Sequence, residues 1–220
     1  MHPDLLPLST PTESYKARVC RTKIATGPRD CHQTPAWAVE AALTTLCPSM
    51  QHIQRFVEPC AGEGAFVRGL KARGHTVIAV EVRTAARPYL EVASPAKIWI
   101  GSWFDYAKAL KDAKVDCRDL GVIGNPPYTL AQAFIESCRD LGFCYIAFLL
   151  RLGFLASRQR RDFWRQHPLT GLYVFERRPS FTEDGSTDAT EYAIFEWARG
   201  KPKLPIGWIR ALAYGVGDTV

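Results

Sequence analysis

No CxxC pair occurs among the seven cysteines, Cys20, Cys31, Cys47, Cys60, Cys117, Cys138 and Cys144, and their number is odd. That scatter excludes a thioredoxin-like motif and a zinc knuckle. Cys20, Cys31 and His32 offer three metal ligands without an obvious fourth, so no metal is expected. Unpaired, scattered thiols fit reducing surroundings better than a disulfide framework. The first residues, MHPDLLPLSTPTESYK, lack a basic segment followed by a long apolar one and do not read as a signal peptide. The most apolar stretch, Phe143 to Leu155, is too short to cross a bilayer and carries Arg151. No internal repeat or long low-complexity tract stands out. These absences predict a cytoplasmic protein with no membrane partner.

What is present is enough for one folded domain. The chain has 220 residues, 47% of them hydrophobic, which suffices for a substantial core but would crowd two full-sized domains. Lys and Arg outnumber Asp and Glu, giving a formal net charge of +6. That excess suits a polyanionic partner without establishing one. Residues 1–30, rich in Pro, Thr and charge, read as an N-terminal arm, residues 31–200 as the domain, and residues 201–220 as a C-terminal extension.

Within the domain, strand-like and helix-like segments alternate. Thr34-Pro35 reads as a helix start, with Thr34 as cap and Pro35 in the first turn. Strands are predicted at Arg55–Glu58, Thr76–Val82, Lys97–Gly101, Leu120–Asn125, Cys144–Leu150, Gly171–Glu176 and Glu191–Trp197. Helices are expected at Phe66–Ala72, Tyr106–Ala113, Leu130–Cys138 and Ser157–Gln166. Nearly continuous apolar strands signal a sheet covered on both faces. The alternation predicts an α/β fold with a mostly parallel seven-stranded sheet. The last two strands can form an antiparallel hairpin around a long loop.

The first strand runs into Glu58-Pro59-Cys60-Ala61-Gly62-Glu63-Gly64-Ala65-Phe66. Small residues after a parallel strand let a backbone approach a ligand, with Gly62 and Gly64 the expected points of approach. Glu58 or Glu63 can recognise a cationic amino-acid portion, whereas a phosphate would be repelled. Glu81, at the end of the second strand, can accept hydrogen bonds from both hydroxyls of a ribose. A nucleoside cofactor or a plain strand-to-helix turn both fit this pattern. After the third strand, Phe104 or Trp103 can pack on an adenine ring and Asp105 or Ser102 can bond its edge. Core packing of either aromatic is the alternative.

Asn125-Pro126-Pro127-Tyr128 follows a buried strand, at the sheet end where ligand loops meet. Two prolines stiffen the turn. The Asn125 side chain and the Pro126 carbonyl offer two acceptors, matching the two hydrogens of an exocyclic amine. Accepting both draws the nitrogen toward tetrahedral geometry and frees its lone pair to attack an electrophilic methyl. Tyr128 can stack on a base extruded from its helix. A rigid turn with a packed tyrosine is the structural alternative.

EPCAGEGAF and NPPY together resemble the cofactor and catalytic loops of class I amino-group methyltransferases, specifically compact phage and bacterial DNA adenine-N6 enzymes. Gln33-Thr34-Pro35 resembles the element that closes over the methionine portion in such enzymes. The resemblance spans roughly residues 30 to 198 and implies a Rossmann-like methyltransferase fold with S-adenosyl-L-methionine as cofactor. By it, Thr34, Glu58, Ala61, Gly62 and Glu81 line the cofactor pocket, and Asn125, Pro126 and Tyr128 hold the base. Ser102-Trp103-Phe104-Asp105 departs from the family's usual acidic-then-aromatic order.

DNA is the expected partner, and Arg151, Arg158, Arg160, Arg161 and Arg178 are candidate phosphate contacts, with Phe181 a candidate wedge. A solvated helix face accounts equally well for the cluster from Arg158 to Arg165. Adenine in RNA, a protein glutamine, cytosine N4, or a catalytically inactive nucleic-acid-binding module remain alternatives. A cytosine-C5 reaction is disfavoured, because it needs a thiol in the catalytic loop and Pro59-Cys60 lies in the cofactor loop.

Overall fold

The computed structural model describes residues 33–181 and 189–204. The proposed arm, with Cys20, Cys31 and His32, and most of the C-terminal extension lie outside the described residues. Helix α1 spans Ala36–Met50, then β1 Arg55–Glu58, α2 Ala65–Ala72, β2 Thr76–Glu81, α3 Arg87–Ala93 and β3 Lys97–Ile100. There follow α4 Trp103–Asp112, β4 Leu120–Gly124, α5 Ala131–Asp140, β5 Tyr145–Arg151, α6 Arg161–Gln166, β6 Gly171–Val174 and β7 Tyr192–Ala198.

The seven strands form one sheet in the order β3-β2-β1-β4-β5-β7-β6. Only β7 runs against its neighbours, pairing antiparallel with both β5 and β6. Strands β1, β2, β4, β5 and β7 are almost wholly buried, because helices cover both faces. Alternate side chains go to opposite cores, as the two-residue period requires. Val57, Val80, Val122, Ile146, Phe148 and Trp197 pack with α4, α5 and α6 through residues such as Trp103, Tyr106, Phe134 and Trp164. Phe56, Val77, Ala79, Ile123, Ala147 and Ile194 pack with α1, α2 and α3 through Leu43, Leu46, Phe66, Leu70 and Leu90.

Three expectations change. Thr34 does not cap α1: the helix has Pro35 at its cap position and no side-chain cap, and the Pro35 carbonyl accepts from the amides of Ala38 and Val39 at 3.0 and 3.1 Å. The fourth helix starts at Trp103 rather than Tyr106, because the Ser102 hydroxyl accepts from the Asp105 amide at 3.1 Å and begins the helix three residues earlier. The basic segment predicted as helix from Ser157 is a 3-10 turn at Arg158–Arg160 followed by α6.

The hairpin edge carries a buried charge. Glu196 in β7 is fully buried, and its carboxylate accepts from Lys201 at 3.1 Å and from the Tyr173 hydroxyl at 3.4 Å. Lys201 also donates to the Ser49 hydroxyl at the end of α1. Lys201→Met removes the cation and leaves the carboxylate inside the sheet, which is expected to cost about 2–4 kcal/mol. The fall in urea midpoint measures it, and adding Glu196→Gln should recover much of the loss.

Candidate functional site

A small cleft, open to solvent, lies at the C-terminal ends of β1 and β4. Gln33 and Thr34 border it from the segment before α1, and Asn125 from the end of β4. The loop after β1 supplies the rest: Glu58, Cys60, Ala61, Gly62, Glu63 and Ala65. Residues from three distant parts of the chain meet here because β1 and β4 are neighbours in the sheet and α1 packs against α2.

The loop is held by β2. The Ala61 amide donates to the Val80 carbonyl at 3.0 Å, and the Gly62 amide donates to Glu81 Oε2 at 2.7 Å. Glu81 is 4% exposed, and its Oε1 accepts from both the main-chain amide and Nε of Arg83, at 2.9 and 3.0 Å. Arg83 was not singled out from the sequence. Its signal was there: in an extended segment, residue i+2 returns to the face of residue i, so a cation two after the acid can reach it.

Gly62 and Gly64 both have positive φ, +55° and +83°, a region open to glycine at little cost. Their roles differ. Gly62 borders the cleft, whereas Gly64 is buried against α3, where an added methyl would lie 2.6 Å from Ala93 Cβ. The close approach at Gly64 is therefore to a helix. Glu63 is half-buried and faces the cleft.

Glu58 is 2% exposed, and its Oε2 has no hydrogen-bond partner among the described residues. Burial raises its carboxyl well above the usual carboxylate range; a hydrogen bond from the Val67 amide opposes this, and the charge of Glu81 adds to it. An orphaned acceptor beside a cleft suits a cationic ligand group. Cys60 is inert by the same logic: burial pushes its thiol well above its ordinary value.

Asn125 stands at the rim of β4. Its amide nitrogen donates to the Thr34 hydroxyl at 3.3 Å, which turns the carbonyl oxygen the other way, and that Oδ1 is buried without a partner. Pro126 is buried, and its carbonyl accepts no hydrogen bond from the described residues, whereas the Pro127 carbonyl accepts from the Leu130 amide at 2.9 Å. Tyr128 follows on a 3-10 turn and packs on Tyr192, with ring centroids 5.8 Å apart. Burial holds its phenol neutral, well above the usual range.

The residues after β3 divide. Trp103 is 2% exposed and stacks on Phe134 in the core, which removes it as an adenine platform. Phe104 is half-buried with its ring edge-on to Phe134 at 5.1 Å, and Asp105 sits in the first turn of α4. Neither borders the cleft, nor do Glu81 and Gly64.

Of the arginines, Arg151 ends β5 with its guanidinium over the Tyr128 ring. Arg178 pairs with Glu191 at 2.6 Å. Arg160 donates to the carbonyls of Phe154 and Ala156, at 2.9 and 3.1 Å, and thereby ties down the loop after β5. Arg158 and Arg161 are exposed, with no ion pair to a described residue. Phe181 packs edge-on against Tyr192 at 4.9 Å. Among the described residues no group of three His, Cys, Asp or Glu is placed to hold a metal, and no helix is long and apolar enough to cross a membrane.

No family model and no curated protein matches the sequence. Solved structures do match. A proposed RNA methyltransferase from Pyrococcus horikoshii aligns with a TM-score of 0.54 at 18% identity, over 76% of this chain and 86% of that one. An O-methyltransferase from Bacillus cereus, in complex with S-adenosylhomocysteine, aligns with a TM-score of 0.54 at 14% identity, over 86% of this chain and 92% of that one. A Pyrococcus abyssi tRNA (uracil-54, C5)-methyltransferase, also with S-adenosylhomocysteine, aligns with a TM-score of 0.50 at 14% identity, over 77% of this chain and 40% of that one. The chain has the Rossmann-like methyltransferase fold. At such identities the likeness speaks for the fold, and the chemistry must be read from this chain's own cleft.

Two outcomes follow from the loop. Gly64→Ala should cost about 2–4 kcal/mol, from backbone strain plus the clash with Ala93. Gly74→Ala, at φ +85° but with nothing within 4 Å, should cost only about 1–2 kcal/mol; comparing melting temperatures of the two variants separates strain from packing. Glu58→Gln should stabilise the ligand-free protein increasingly as pH rises. The native carboxyl stays protonated above the range where the unfolded one ionises, so wild type loses stability with rising pH through that window and the amide does not. Thermal unfolding of both proteins from pH 4 to pH 8 checks the sign.

Proposed function

We propose that this chain transfers a methyl group from S-adenosyl-L-methionine to the N6 amino group of adenine in DNA. The observation that carries the reading is Asn125: a buried side-chain oxygen without a partner, aimed by a hydrogen bond from its own amide to Thr34, at the rim of an acid-lined cleft. The donor set fits the cofactor. The buried, unpartnered Glu58 oxygen and the half-buried Glu63 suit the ammonium and sulfonium of its methionine end. The S-adenosylhomocysteine bound by two proteins of the same fold supports that choice. Glu81 retains acceptor capacity for a ribose hydroxyl beyond the three hydrogen bonds it accepts.

Bound S-adenosyl-L-methionine supplies an electrophilic methyl. The chain's part is to prepare the nitrogen. Asn125 Oδ1 and the Pro126 carbonyl each accept one amine hydrogen, so the nitrogen lone pair leaves conjugation with the ring and points away from both acceptors. Positive charge developing on the nitrogen is stabilised by those two carbonyl dipoles, which need no reorganisation because the proline pair fixes them. Tyr128, kept neutral by burial, offers an apolar ring for the base. The Thr34 bond keeps the Asn125 amide from rotating its donor toward the substrate. Nothing in these steps calls for a metal or a covalent enzyme intermediate.

A nucleic acid is favoured over a protein substrate by the net charge of +6, and DNA by the motif resemblance. RNA is the second reading, since two proteins of the same fold are a proposed RNA methyltransferase and a tRNA methyltransferase. The test is transfer from isotopically labelled S-adenosyl-L-methionine to unmodified DNA and RNA in parallel, followed by nucleoside mass analysis. N6-methyladenine in DNA is expected. Asn125→Ala should lower the rate by at least ~100-fold while cofactor affinity and melting temperature stay close to wild type. Label in RNA alone would replace the substrate, and label in neither would turn the search to protein glutamine or a binding-only role.

A further inference from the structure

Arg177 and Arg178 are neighbours just beyond β6, and their side chains are held in different ways. Arg178 donates to Glu191 Oε1 at 2.6 Å, so its charge is matched within the protein. Arg177 is exposed and has no ion pair to a described residue. Its guanidinium carbon lies 5.1 Å from the centroid of the Trp37 ring, within cation–π range. Trp37 is half-buried in the first turn of α1. Its ring meets Phe175 edge-on, with centroids 6.1 Å apart and planes at 89°. Phe175 is fixed in turn by the sheet, because its amide donates to the Tyr192 carbonyl at 3.0 Å, one residue beyond β6.

A ring and a carboxylate hold an arginine with different consequences. A carboxylate engages the N–H donors and cancels the charge. A ring attracts the cation through its quadrupole and leaves the charge and the five N–H donors for another partner. Arg177 is therefore both ordered and unneutralised. Arg158 and Arg161 also lack an ion pair to a described residue, but neither lies over a ring of the described residues. An anion bound by those two would first have to order two long side chains.

The location suits the strand that the cleft would serve. β7 runs antiparallel to both β5 and β6, and β5 runs parallel to β4, so β6 ends at the same end of the sheet as β4. β4 and β6 stand three strand spacings apart, about 14 Å. The start of α1 bridges that gap: Thr34 accepts from Asn125 beyond β4, and Trp37 meets Phe175 beyond β6. The three-residue step from Thr34 to Trp37 reaches at most about 11 Å. That is about three nucleotide steps along one strand.

Resting on the reading that a DNA base is presented to Asn125, we propose that Arg177 binds a backbone phosphate of the same strand, within a few nucleotides of the target. Trp37 is its positioning residue, holding the guanidinium ready without using its donors. The role belongs to Arg177 and not to Arg178, whose charge Glu191 already matches.

The test is binding of a fluorescein-labelled single-stranded oligodeoxynucleotide to the full chain with S-adenosylhomocysteine present, read by fluorescence anisotropy across a salt series. Arg177→Ala should lower the slope of log affinity against log salt by about 0.7, the share of one phosphate on a single strand, with the melting temperature unchanged. Arg178→Ala should leave the slope close to wild type. Trp37→Leu keeps the cation and so keeps the slope, but should weaken binding by about two- to fivefold. In an Arg177→Ala background the same change should have no further effect, because Trp37 acts through Arg177. A merely structural tryptophan would weaken binding equally in both backgrounds, and that result overturns the positioning role. An unchanged slope in Arg177→Ala, a larger loss in Arg178→Ala, or a wild type that does not bind the strand overturns the phosphate contact. Binding stands apart from the methyl-transfer assay. Methylated DNA with an unchanged slope in Arg177→Ala refutes the contact and not the reaction, whereas the expected slopes in a protein that methylates neither polymer support the contact and refute the reaction.

Discussion

A buried carboxylate organises this sheet edge. Glu81 brings the end of β2 to the loop after β1, accepting from the Gly62 amide on one oxygen and from Arg83 twice on the other. A loop of small residues has few side-chain contacts of its own and would otherwise lose the entropy of ordering without compensation. Charge-assisted hydrogen bonds in a protected place are the strong kind, and leaving such a carboxylate unmatched would be expensive. The path of the loop and the left-handed turn at Gly62 accord with that anchor.

The cleft that results is chemically one-sided. Among the described residues, one oxygen of its buried acid lacks a partner, its rim asparagine presents a free acceptor, and the Cys60 thiol that borders it is held protonated by burial. Such a site attracts cations and polarises N–H groups, and its described residues include no activated nucleophile. Arg68 reaches the cleft loop and donates to the Glu63 carbonyl at 2.7 Å, whereas Arg83 is bound to Glu81, Arg160 to main-chain carbonyls, and Arg151 lies over Tyr128. The acidic interior and basic surroundings would let a positively charged cofactor and a polyanion approach the same point without exchanging places.

Much of the strand pattern was legible because buried parallel strands read as short apolar runs. β1 was placed residue for residue, and the antiparallel last pair followed from two late runs around a turn-rich segment. Helix starts were less legible. Ser102 and Thr34 are both reasonable caps, yet only Ser102 acts as one. Thr34 lies one residue before the cap position, which Pro35 takes, and its hydroxyl accepts instead from Asn125, 91 residues away, a partner that no local rule anticipates. The same problem hid the role of Gly64, whose neighbour Ala93 belongs to another helix, and placed Trp103 in the core instead of at the cleft.

The sequence by itself determined the α/β alternation, the sheet's buried faces, and the two loops that carry chemistry, since those depend on periodicity and on residue types within a few positions of one another. Tertiary structure decided how each polar group in those loops is used. Whether one oxygen of Glu58 is left without a partner, whether Asn125 turns its oxygen or its nitrogen toward the cleft, and what packs against Tyr128 all depend on groups from other strands and helices. Hydrogen bonds and ring contacts form over a few ångströms, and it is the order of strands in the sheet that brings distant residues within that reach.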